Sequence, residues 1–132
     1  MSLYSIMPWF AAAAFGIATL VILSRVGERP RPNGWMLPAL LSVLFAAWSG
    51  HAVVSEGPLG FWDDHTRSAW GNQIWFDLLM AMGTAWLLIV PEARRRGMRL
   101  LPWLAFVAAT GSIGMMAMLS RLLYLRARDG TA

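Results

Sequence analysis

The sequence predicts an all-α membrane protein: an antiparallel four-helix transmembrane bundle, forming a single domain over residues 1–132. Three observations point there. Of the 132 residues, 58% are apolar and only 14% charged, outside the balance of an average soluble domain. The apolar residues fall into four blocks, near 3–24, 35–54, 73–90 and 100–125, each of a length suited to hydrocarbon about 30 Å thick. All eleven basic residues are arginines and gather at block ends, where topology and anionic head groups account for them without a nucleic-acid partner.

In the first block no basic residue precedes Leu3, and Arg25, Arg29 and Arg31 follow Ser24. That is the reverse of a secretory signal's charged start, so an uncleaved anchor with its N-terminus outside is expected. Ala12 and Gly16 lie four apart on one face, a spacing that lets another backbone approach. Residues 25–34 hold two prolines, two glycines and three arginines, which suits a short inside loop.

The second block repeats the small-residue spacing at Ala46 and Gly50, with Trp48 deeper and His51 near the outer end. Residues 55–71 carry Glu56, Asp63, Asp64, His65 and Arg67, a negative balance that suits an outside connection. Phe61, Trp62 and Trp70 are expected at the membrane interface.

The third block holds a carboxylate inside a segment that otherwise favours hydrocarbon. On a helix, Gln73, Asp77, Ala81 and Thr84 form one stripe, and Trp75, Leu79, Met82, Trp86 and Ile89 the opposite one. The bulky stripe is expected to meet lipid, and Asp77 to point at other helices, because an ionisable group facing lipid costs a few kcal/mol. Pro91 is expected to end the helix, and the four arginines that follow make a short inside hairpin connection.

In the fourth block Thr110, Gly114 and Ala117 share a stripe that Arg121 continues. Four spans put both termini outside and set Arg121 level with Asp77 on the antiparallel third helix, where an ion pair is expected. Arg121, Arg126 and Arg128 then also lie outside, the one feature that argues against this topology.

His51, Glu56, Asp77, Arg121, Trp48 and Trp75 are the candidate binding residues, with Asp77 the candidate catalytic acid. Asp63, Asp64 and His65 add to the same outer cluster, but no spacing matches a metal-ligand motif. With no cysteine either, neither a metal nor a cofactor is expected. Met80, Met82, Met115, Met116 and Met118 read as adaptable fillers between helices.

Several short stretches carry a resemblance: Phe76-Asp77-Leu78, Glu92-Ala93-Arg94 followed by Gly97-Met98, Trp103, Gly111 to Gly114, and Leu123-Tyr124-Leu125-Arg126. Over less than half its length the chain resembles a family of small bacterial four-helix membrane proteins catalogued as a domain of unknown function. The resemblance implies four helices, an Asp at position 77 and a place in the bacterial inner membrane, and it implies no reaction. Small multidrug transporters are of similar size but carry a membrane Glu in the first helix, and this first block has no acid. Transmembrane terpene cyclases are similar only in pairing Trp-rich helices with membrane-level acids.

The expected function is therefore an accessory or lipophilic-ligand-binding subunit in the lipid bilayer. It would contact an apolar small molecule, a membrane-protein partner or a second copy of itself. The alternatives are a membrane-embedded acid–base enzyme using Asp77 on an isoprenoid-like substrate and a small proton-coupled transporter. The inner half supplies no polar path for the latter.

Overall fold

The computed structural model describes residues 3–24 and 31–130. Among these residues there are six helices and no strand: α1 (Leu3–Ser24), α2 (Met36–Glu56), α3 (Gly60–Thr66), α4 (Ala69–Arg95), α5 (Leu100–Thr110) and α6 (Ser112–Gly130). The all-α expectation holds, whereas the expected four helices are six. Helices α1, α2 and α4 are long and apolar enough to cross a membrane. The chain divides into two units, residues 1–30 and 31–132. The first is α1, continuous through Pro8. Of the expected arginine loop, residues 25–30 lie outside the described residues.

The largest departure is in the fourth expected span. The apolar run that begins at Leu100 stops at Gly111, which adopts φ 60° and ψ −123°, a region open to glycine and costly for other residues. The chain reverses there. Thr110 Oγ1 accepts from Gly114 N at 3.0 Å, which satisfies one of the donors at the start of α6. Gly114 lets the two legs close up, since a Cβ there would lie 2.9 Å from the Val107 backbone. With 11 residues, α5 is about 16 Å long, roughly half a bilayer's apolar thickness.

Helix α6 then runs back as the centre of the second unit, packed on α2, α4 and α5. Ser42 Oγ donates to Ile113 O at 2.9 Å, and Ser120 Oγ donates to Trp35 O at 2.9 Å. These two bonds pin α6 antiparallel to the first half of α2. Trp35 and Tyr124 meet edge to face at 5.7 Å below them. Met118 and Leu122 are fully enclosed and join Ala93, Met98 and Leu125 in the core, with Trp86, Ile89 and Trp103 packed around it.

Helix α4 passes through Pro91 and ends five residues later than residue 90. Its terminus is a paired C-cap: Gly97 at φ 75°, Gly97 N bonded to Arg94 O and Met98 N to Ala93 O, each at 3.0 Å. Ala93 and Met98, brought together by that cap, are both buried. The connection to α5 is therefore only residues 96–99.

Candidate functional site

The second unit has two chemically distinct ends. At one end lie the start of α2, the end of α4, the start of α5 and the end of α6, and with them Arg31, Arg94, Arg95, Arg96, Arg99, Arg121, Arg126 and Arg128. Glu92 is the hub of the ion pairs here. It accepts from Arg126 Nε at 2.6 Å and Arg96 Nε at 3.0 Å, and Arg126 Nη2 closes a second bond to the same carboxylate. Bonding to Glu92 raises the Arg126 guanidinium above its ordinary value, so that side of the pair stays charged at any accessible pH. Arg96 also reaches Asp129 at 2.7 Å. These contacts tie the last turns of α4 and α6 together.

The other end carries the acids. Ser68 caps α4 by accepting from Gly71 N at 3.0 Å, and α3 folds back on this turn. His65 Nδ1 lies 3.2 Å from Gly71 O, and Asn72 Nδ2 donates to His65 O at 2.6 Å. His65 stacks on Trp75 at 4.9 Å, with Phe61 6.1 Å from the same indole. Gly71 is required by contact rather than torsion: a Cβ there would run into the Asp64 carbonyl.

The faces of α4 are turned opposite to the sequence expectation. Trp75, Met82, Trp86 and Ile89 are half-buried, while Gln73, Asp77, Ala81 and Thr84 are exposed; of the bulky stripe only Leu79 stays exposed as expected. The physical reason is twofold: the Met- and Leu-rich flank of α6 gives Met82, Trp86 and Ile89 a packing partner inside the unit, and His65 and Phe61 of α3 cover Trp75. Ser112 reaches Met82 there. Of the methionines, Met115 and Met118 are buried, whereas Met80 is exposed.

Asp77 consequently lines an open groove of about 790 Å³ with Arg67, Asn72, Gln73, Phe76 and Met80. Among the described residues it has no hydrogen-bond or ion-pair partner. Arg121 does not reach it, since the reversal at Gly111 carries α6 away from the acidic end. Arg121 instead lies over the Tyr124 ring at 5.5 Å, in a cleft with Arg96 and Arg99. The expected Asp77–Arg121 pair is replaced by Glu92–Arg126, which sequence reading did not single out.

His51 and Glu56 are exposed near the end of α2. The His51 ring is 5.6 Å from Trp48. Helices α2 and α4 each pack on α6 rather than on each other, so His51, Glu56 and Asp77 share an end of the unit without forming one cluster. No three His, Asp or Glu residues among those described are placed to hold a metal ion. The groove can thus offer a carboxylate, amides and one guanidinium beside apolar Phe76 and Met80. Comparison with family models, curated proteins and solved structures returns no match.

Proposed function

We propose that the chain is an integral membrane binding subunit that holds an amphiphilic molecule along the Asp77 face of α4. One observation carries this reading: a carboxylate within a helix long and apolar enough to span lies on an uncovered groove with no partner of its own. An ionisable group so placed is stable only with a partner or water. The groove is graded to supply both needs of an amphiphile. Arg67, Asn72 and Gln73 stand toward the helix start for a polar head, and Phe76 and Met80 lie deeper for an apolar tail. Trp48, His51 and Glu56 lie toward the same end of the unit on α2 but do not line this groove.

In this reading α2 and α4 cross the bilayer, while α5 and α6 enter and leave on the arginine side. That topology gathers the arginines of the second unit at one membrane face and leaves Arg67 alone at the other, as the arginine bias of inside segments requires. In this reading the C-terminal helix emerges inside, and the same arginine rule, applied to the sequence after α1, assigns its N-terminus to the outside.

The test is native mass spectrometry of detergent-purified protein beside Asp77→Asn. A bound apolar or amphiphilic mass in the first and its loss in the second is expected. Equal bound mass in both would overturn a role for Asp77. An unpartnered carboxylate also suits general acid chemistry, and conversion of the bound molecule on incubation would favour the enzyme reading.

A further inference from the structure

We infer that the arginine end holds a second site, for the phosphate of an anionic glycerophospholipid, in the cleft where the α4–α5 connection meets α6. It goes beyond the Asp77 groove and lies at the opposite end of the unit. The cleft is about 370 Å³ and is bordered by Arg96, Arg99, Arg121 and Arg128, with Trp103 and Leu125 as apolar walls.

Its charge is only partly neutralised. Arg96 is shared with Glu92 and Asp129, and Arg128 lies 3.5 Å from Asp129. Among the described residues neither Arg99 nor Arg121 has an acidic partner. The Arg121 guanidinium carbon lies 5.5 Å from the centre of the Tyr124 ring, a cation–π contact that engages no acceptor and so leaves its N–H donors for an oxyanion. The start of α5 opens here too. Arg99, which lines the cleft, provides no side-chain cap for the helix, so the first turn of α5 adds the positive end of its dipole to this end of the unit.

Four arginines border one concavity, and two of them, Arg99 and Arg121, carry no acidic partner among the described residues, a donor set suited to the oxygens of a phosphate ester. The apolar part of the ligand is indicated by what adjoins the cleft. Trp103 and Leu125 line it, and Leu101 and Leu104 form an exposed apolar strip down α5, along which acyl chains can lie at the depth this half-length helix reaches. Basic pockets between helices at the inner face recognise anionic lipid heads in this manner. Arginines that serve topology alone need not share a cleft, and they show no preference among head groups.

The experiment is a thermal melt of the delipidated protein in a neutral detergent, titrated with short-chain phosphatidylglycerol, phosphatidylcholine or glycerol 3-phosphate. Phosphatidylglycerol is expected to raise the melting temperature to a plateau, and the other two to leave it nearly unmoved. Arg99→Gln and Arg121→Gln should each weaken that response by about tenfold, the loss of one charge-assisted contact. Arg95→Gln removes the same charge outside the cleft and should not. Arg121→Lys keeps the charge and guards against a folding defect, and should fall between. No plateau with phosphatidylglycerol, or equal weakening by Arg95→Gln, overturns the site. A response to glycerol 3-phosphate as strong as to the lipid overturns the lipid assignment and leaves a soluble phosphate ester as the ligand.

Discussion

The two ends of the second unit are built on opposite principles. At the arginine end α6 is threaded among three helices, Ser42 of α2 donates to its Ile113 carbonyl while its own Ser120 donates to Trp35 O at the cap of α2, and a shared carboxylate fastens α4 to α6. At the acidic end α2 and the first half of α4 have no helix between them, and the polar residues look outward. Placement of one turn produces the difference. Because the chain reverses at Gly111, the apolar half of α6 fills one end and nothing of it is left for the other. Packing and side-chain bonding are thereby concentrated at the arginine end, and uncovered polar surface at the end that carries Asp77.

Substitutions at matched positions should break or sharpen that contrast. The largest effect is expected at Met118, which has no exposed surface. Met118→Ala should cost about 2–4 kcal/mol through the cavity it leaves, whereas Met80→Ala, at a side chain 72% exposed, should cost less than about 1 kcal/mol. Chemical or thermal unfolding in detergent reads both.

The next effect is a reversal of sign between two glycines. Gly114→Ala drives a Cβ to within 2.9 Å of the Val107 backbone and should destabilise by about 1–3 kcal/mol. Gly83→Ala meets nothing within 4 Å in the interior of α4, and should stabilise by about 0.5–1 kcal/mol through helix propensity. A common sign in the melts would mean that the two legs of the hairpin do not approach so closely.

The smallest effect concerns charge. Glu92→Gln and Arg126→Gln should each cost about 1 kcal/mol or less, because the pair is partly exposed, and their double mutant should be no worse than either single. Asp77→Asn should leave the melt of the ligand-free, delipidated protein unchanged, since the carboxylate has no partner among the described residues. Additive losses at Glu92 and Arg126, or a clear loss at Asp77, would reverse the assignment of the two ends.

Much of the helical content was legible from hydropathy, because length and apolar run fix where helices form. The first block, 3–24, matches α1, and the second lies within two residues of α2. What misled is Gly111. An apolar run of about 20 residues around Thr110-Gly111-Ser112 reads as a span, since membrane helices tolerate glycine, and only tertiary packing shows that this one takes a positive φ. The warning lay in Arg121, Arg126 and Arg128, which a fourth span would carry to the wrong face. A hairpin removes that conflict. The inverted faces of α4 follow from the same error, for without α6 at its side the bulky stripe had no partner but lipid. Most of the residues behind the family resemblance, Glu92-Ala93, Gly97-Met98, Trp103, Gly111, Gly114 and Leu125-Arg126, are those that build the packed end. They therefore speak to architecture, and the Asp77 groove stands on its own geometry.

The reversal at Gly111 is tested most directly by sidedness, and a chain with no native cysteine suits that measurement. Single-cysteine variants Ser55→Cys, Arg95→Cys and Gly130→Cys, in sealed vesicles of known orientation, would be labelled with a membrane-impermeant maleimide. A half-membrane hairpin predicts that Arg95→Cys and Gly130→Cys react from the same side and Ser55→Cys from the other. Labelling of Gly130→Cys together with Ser55→Cys, opposite Arg95→Cys, would restore the fourth span and contradict the two-ended architecture.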